Sequence, residues 1–165
     1  MVEKEGRRKI LEILEKNARL SAKDIASMLG YDADETAVEI NAMEKENIIC
    51  GYHTFINWDK TDDDKISALI ELKVTPQRGN GFDKIAEKIY QFPEVESLYL
   101  MSGGYDFTVI LKKATMKEIA FFVSSKLAVL DEVQSTATHI VLVRYKDHGT
   151  CFTEPHKDLR MVITP

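Results

Sequence analysis

Residues 59–65, DKTDDDK, separate two stretches whose apolar side chains recur with different periods. Before them the apolar residues return every three or four positions, the spacing of one helix face. After them runs of alternation appear, the spacing of one sheet face. A chain with both rhythms, split by a polar acidic segment, reads as two domains rather than one bundle or one sandwich. At 165 residues, two small domains fit. The expected division is a domain over 1–58, a linker over 59–65 and a second domain over 66–165.

In the first domain, Ile10, Leu11, Ile13 and Leu14 place an apolar stripe on a helix over 7–16. NARL at 17–20 turns the chain. Ser21 reads as an N-cap, with Asp24 three residues on in the manner of a capping box. Ile25, Ala26 and Leu29 give the inner face of a second helix, and Gly30 stands where it ends. Asp32 opens a third helix with Glu35 at its third position. There Thr36, Val38, Ile40 and Met43 mix inner and flanking positions, with Thr36, Ile40 and Met43 as the buried seam. GYHTFINW at 51–58 reads as a strand. Three short helices and a strand predict a winged helix-turn-helix.

The second domain begins with a strand over 66–74 and a turn-rich loop over 75–81. A helix over 82–90 carries Phe82, Ile85, Ala86 and Ile89 on one side and stops before Pro93. Strands over 95–101 and 107–111 flank SGGYD at 102–106, a connection suited to a hairpin. A second helix over 116–127 and a long strand over 133–145 follow, and residues 159–164 read as one more strand. The order βαββαβ predicts a ferredoxin-like sandwich with both helices on one face, so the whole chain is α+β. The bare sheet face, formed by residues 70, 72 and 74 or their alternates, needs another apolar surface. A second copy of the chain supplies it most simply.

Composition limits the function classes. The 22 basic and 27 acidic residues give a net charge of -5, which argues against a protein built mainly to coat nucleic acid but leaves room for a local basic patch. Cys50 and Cys151 form neither a disulfide framework nor a metal-spaced cluster. His148, Cys151, Glu154 and His156 are the right residue types for a metal, yet no C-x-x-C pair accompanies them, and no metal is expected. The N-terminal residues lack the apolar core of a signal peptide, and the apolar runs are too short to cross a membrane, so a cytoplasmic location is expected. No catalytic triad context, P-loop or dinucleotide glycine pattern is present, so no enzyme is expected.

Two groups of residues carry candidate chemistry. For DNA contact, Ser21, Ala22 and Lys23 stand at the start of the second helix, where backbone amides and a lysine suit a phosphate. Arg19 and Lys45 add charge, with Arg7, Arg8 and Lys9 as a weaker cluster. On the third helix, Asp34, Glu35, Thr36, Glu39 and Asn41 are expected to face the groove. Asn41 can read adenine, and a carboxylate can accept from the cytosine amino group. That helix is acidic, so weak affinity and reliance on several linked copies are expected. For a ligand, Gly103 and Gly104 let backbone amides approach a carboxylate, Asp106 can meet an ammonium group, and Tyr105 offers a ring and a hydroxyl. Thr136 and Thr138 are auxiliaries from a nearby strand. That set suits an amino acid; a tight hairpin with Asp106 tied to its own turn is the alternative.

In this order and spacing, RKIL at 8–11, NARLS at 17–21, IASMLG at 25–30, EKENIICGY at 44–52, FPEV at 92–95, SGGYD at 102–106 and THIVL at 138–142 resemble the Lrp/AsnC family, the feast/famine regulators of bacteria and archaea. The resemblance covers roughly residues 6–146. It implies an N-terminal domain that binds double-stranded DNA and a C-terminal domain for ligand sensing and oligomerisation. It further implies dimers paired through their sheets, higher assemblies, and an amino-acid effector bound between dimers, with no other cofactor. The chain departs from the family where a run of arginines usually precedes a Leu-Glu pair on the third helix. Here the residues are VEINA at 38–42, and Met43 takes the leucine's place. Gly104 also stands where members often have a polar residue. The alternative is therefore a metabolite-binding oligomer that has lost sequence-specific DNA binding.

Overall fold

The computed structural model describes residues 4–61, 64–76 and 81–152. The chain divides into two compact units, Met1–Ile56 and Asn57–Pro165. The 3-10 turn Trp58–Lys60 thus belongs with the second unit, where Lys113 Nζ donates to Asp59 at 3.3 Å.

The first unit holds α1 (Lys4–Lys16), α2 (Ala22–Leu29) and α3 (Ala33–Lys45). Its core is Ile10 and Leu14 of α1, Ile25 of α2 and Met43 of α3, with Leu11, Leu20, Leu29, Ile40 and Ile49 around them. Full burial of each such side chain contributes about 2–3 kcal/mol. The helix ends are set by local chemistry. Ser21 and Asp24 form the expected capping box, and Gly30 closes α2 at φ 71°, a left-handed conformation that favours glycine. Asp32 accepts from the amides of Asp34 (2.9 Å) and Glu35 (3.0 Å) and so caps α3. Asn47, at φ 56°, ends α3. The Ile48 amide returns to the Met43 carbonyl (2.9 Å) and the Asn47 amide to that of Glu44 (3.1 Å), a Schellman closure.

The strand expected at 51–58 does not form: among the described residues, 51–57 carry no ladder pairing. Alternating apolar residues suit a strand, but a strand also needs a neighbour for its backbone groups, and the described residues of this unit offer none.

The second unit holds β1 (Ala68–Val74), α4 (Gly81–Tyr90), β2 (Val95–Leu100), β3 (Phe107–Leu111), α5 (Met116–Phe122) and β4 (Val133–Ile140). The sheet order is β2-β3-β1-β4, and every pair is antiparallel. This is the expected βαββαβ arrangement. Ala68, Ile70, Leu72 and Val74 are buried together with Ile85 and Ile89 of α4 and Ile119 and Phe122 of α5. Phe82 meets Phe107, and Phe92 meets Phe122, edge to face at 5.9 and 5.6 Å. Residues 70, 72 and 74 therefore face the helices. Their alternates Leu69, Glu71 and Lys73 form the open face, where the Glu71 carboxylate lies 3.1 Å from His139 Nε2.

Two further expectations are corrected. The second helix of this unit is α-helical only to Phe122, and Val123–Leu127 continues as a π-type turn. Thr115, which carries no apolar signal in the sequence, caps α5 in a capping box with Glu118. The last long strand stops at Ile140 rather than 145. Its partner β1 begins at Ala68, opposite Ile140, so later residues have no strand to pair with beyond the bond from the Val141 amide to Ser67. Beyond it, Lys146–Asp147 (β5) and Thr150–Cys151 (β6) form a small antiparallel hairpin. The strand expected at 159–164 lies outside the described residues. So do Glu154 and His156; among the described residues no group of metal-ligating side chains occurs.

Candidate functional sites

The third helix presents two faces. Thr36, Glu39 and Met43 are buried, whereas Asp34, Glu35, Val38, Asn41 and Lys45 are exposed. Two residues expected at a groove are thereby corrected. Thr36 is fully enclosed, and its hydroxyl donates to the Asp32 carbonyl at 2.7 Å. Glu39 faces α1, where Arg7 Nε donates to it. The same guanidinium donates to both oxygens of Glu46, at 2.7 and 3.2 Å. Its hydrogen bonds hold the Glu46 carboxyl below the usual carboxylate range. Arg7 is thus an internal clamp and not a phosphate contact. Glu44 accepts from the Tyr52 hydroxyl at 2.7 Å. Asp32 serves as a cap. Much of the acid that made this helix look hostile to DNA is already engaged within the unit.

The remaining DNA candidates surround the start of α2. Ser21 is committed to Asp24: its amide and hydroxyl both donate to that carboxylate (3.0 and 2.6 Å), and its oxygen accepts from the Asp24 amide (3.2 Å). These bonds lower the Asp24 pKa, so a fixed negative charge sits where a phosphate was expected. Ser21 is therefore a cap, which leaves Ala22 and the exposed Lys23 as the candidates at this end. The Arg19 side chain is exposed while its amide is held by Asn17 (3.1 Å). Arg8 pairs with Glu12 (2.9 Å) and Lys9 with Glu5 (3.1 Å) along α1. Val38 is the residue that sequence reasoning missed. The sequence reading left it outside the buried seam of Thr36, Ile40 and Met43 but gave it no role, and it is 67% exposed at the middle of the outward face.

In the second unit the connection between β2 and β3 is closed by the Met101 amide donating to the Asp106 carbonyl at 2.8 Å. Gly103 and Gly104 are exposed, and a Cβ on either would meet nothing within 4 Å. The space above the turn is open, with Tyr105 half-buried beside it. The Asp106 carboxylate differs from both expectations. It is tied neither to its own turn nor left for an ammonium group. It accepts from the Val74 amide (2.9 Å) and the Lys73 ammonium (3.0 Å), both on β1. Those bonds, the Val74 amide first, hold its carboxyl below the usual range. Thr136 and Thr138 lie opposite Leu72 and Ile70, on the far side of β1 from β3. Two strand spacings, about 10 Å, separate them from the β3 side, so they do not join the turn in one site.

A pocket not anticipated from sequence lies beside that turn. It has a volume of about 240 Å³ and is walled by Phe82 and Ala86 of α4, Leu98 and Leu100 of β2, and Phe107 of β3, with Asp83 and Tyr90 completing its lining. Only the register Leu100↔Phe107 brings these residues together, which is why no local pattern revealed it.

Comparison with known proteins fits this geometry. Residues 67–151 match the family model described as the Lrp/AsnC ligand binding domain. Residues 7–49 match a model described as winged helix-turn-helix DNA-binding. The chain is similar to the HTH-type transcriptional regulator YugG of Bacillus subtilis, whose function is uncharacterised, with 46% identity over 157 residues, 94% of this chain and 95% of that protein. It is 30% identical over 137 residues to the HTH-type transcriptional regulator LrpA of Pyrococcus abyssi, covering 83% of this chain and 94% of that one. The fold is similar to that of the transcriptional regulator NMB0573 of Neisseria meningitidis, solved as a complex with L-Met. There the TM-score is 0.71 at 19% identity, over 94% of this chain and 97% of that chain. The chain belongs to the Lrp/AsnC family of transcriptional regulators, which combine a helix-turn-helix that binds DNA with a domain that binds a small-molecule ligand.

Proposed function

We propose that this protein regulates transcription in the cytoplasm by binding double-stranded DNA as a homo-oligomer, under control of an amino acid or related small metabolite. The reading assigns it no catalytic step. The observation that carries it is the engagement of Glu39 and Glu46 by the single Arg7 guanidinium, which offsets one of their two negative charges and turns both carboxylates toward α1, leaving Val38, Asn41 and Lys45 on the exposed face with Asp34 and Glu35. Arg19, Lys23 and Lys45 provide the cations that phosphate contact requires.

Self-association is supported by the second unit. Leu142 is 89% exposed and lies in a segment, 141–145, that has no ladder partner among the described residues. The open sheet face adds the half-buried Leu69 and Ile110. A second copy of the chain would cover both. The pocket beside the β2–β3 connection supports a small effector, since about 240 Å³ suits a molecule of amino-acid size. Linkage then follows: an effector that prefers one assembly shifts DNA binding if DNA prefers the same or another assembly.

The test is binding of the full-length protein to fragments from the region upstream of its own gene, at two salt concentrations with excess competitor DNA, alongside calorimetry against an amino-acid panel. Specific, salt-sensitive retention is expected. No retention at low salt with the oligomer intact and heat from one amino acid would favour a metabolite-binding oligomer instead.

A further inference from the structure

The middle of α3 carries an exposed branched apolar side chain on an otherwise polar face. Val38 points away from the core that Thr36 and Met43 enter. A β-branched residue lowers helix propensity slightly, and at this position no burial offsets that cost. One turn before it stands Asp34 and one turn after it Asn41, both exposed. The small residues Ala33 and Ala42 flank this stretch and Ala37 lies within it, keeping this part of the helix slim.

From these observations we propose that Asp34, Val38 and Asn41 form the base-reading edge of α3, with Val38 selecting thymine through its 5-methyl group. The proposal rests on the DNA-binding reading above and specifies what that surface recognises. Seven residues of helix span about 10 Å, and about three base pairs span the same length of duplex. The three side chains thus address one short run of bases in the major groove. Thymine alone presents a methyl group there, and an apolar side chain is its complement. Asn41 has the donor and acceptor needed for adenine N7 and N6, and Asp34 can accept from the cytosine amino group. Of the carboxylates on and just after α3, Glu39 and Glu46 share the Arg7 guanidinium and Glu44 accepts from the Tyr52 hydroxyl, which leaves Asp34 and Glu35 as the exposed acids of this helix.

The experiment uses the full chain and a pool of random-sequence duplexes. Retained fragments are sequenced and footprinted, and each thymine in the protected region is replaced singly by deoxyuridine, which lacks only the methyl. Val38→Ala is compared on the same duplexes, its fold checked by circular dichroism and its assembly by sedimentation. One thymine per half-site should lower wild-type affinity about fourfold when its methyl is removed, the worth of one buried methyl-sized group. V38A should bind the parent duplex more weakly than wild type and be indifferent to that replacement. The proposal is overturned if no thymine responds, or if V38A loses as much as wild type at every one. Retention without any sequence preference also overturns it while leaving DNA binding standing. Failure to retain any duplex at low salt defeats the regulator reading itself, and this proposal with it.

Discussion

Arg7 on α1 grips both carboxylate oxygens of Glu46, just past the end of α3, with donor distances of 2.7 and 3.2 Å. Its remaining Nε donates to Glu39, the one buried charged side chain among the described residues. One guanidinium therefore joins the first helix to two points on the third, through residues 32 and 39 positions apart in sequence. The planar fork matches a carboxylate in a way that an ammonium cannot.

Arg7→Ala should lower the urea midpoint more than Glu46→Gln does, because it also strands the enclosed Glu39 carboxylate without a cation. Adding Glu39→Gln to the R7A background should recover part of the loss. R7A should also bind DNA less well, since two carboxylates are released on the unit that carries the reading helix. Equal midpoints for R7A and wild type would show that the clamp contributes nothing.

Met43→Ala removes a side chain with no exposure from the centre of the first unit's core. Truncations of this kind cost about 2–5 kcal/mol. Equilibrium urea unfolding followed by circular dichroism should show a loss in that range. A loss below about 1 kcal/mol, the size of a surface change, would contradict the packing described.

Asp106 supplies a pH dependence with a definite sign. Its folded-state carboxyl titrates below its ordinary value because the Val74 amide and the Lys73 ammonium favour the charged form. Its contribution is therefore fully present above the unfolded-state value, about pH 4, and is lost as the pH falls through the lower folded-state value. Asp106→Asn should be less stable than wild type at pH 7, and the gap should narrow at pH 3. A gap that is constant with pH would mean that the charge plays no part.

Leu142→Glu places a charge on the most exposed large apolar residue described. Sedimentation velocity should show a shift to smaller species with helix content retained. An unchanged distribution would place the interface between copies elsewhere.

Much of this architecture was legible because it is local. Ser21 with Asp24, Gly30, and Asp32 ahead of Asp34 and Glu35 act within three or four residues, and each cap lies where the residue types put it. The βαββαβ order followed from the change of period and the loops between. What failed depended on distant partners. Residues 51–58 and 141–145 alternate like strands, but a ladder needs a second strand that sequence rhythm does not reveal. Glu39 read as a surface carboxylate because nothing near it announces Arg7. Asp106 read as a turn or ligand residue because Lys73 and Val74 lie on another strand. Val38 lay outside the buried seam of Thr36, Ile40 and Met43 in the sequence as it does in the structure, but nothing local marked it as the apolar centre of the outward face.

The most direct measurement of the DNA-binding account is a salt titration of affinity for a retained upstream fragment, comparing wild type with the double variant Lys23→Ala, Lys45→Ala. Removing one lysine–phosphate pairing should reduce the slope of log K against log salt by about 0.9, so the account predicts a drop of about 1.8 per bound unit alongside weaker binding. An unchanged slope, or no salt-dependent retention by the wild-type protein at all, would contradict it.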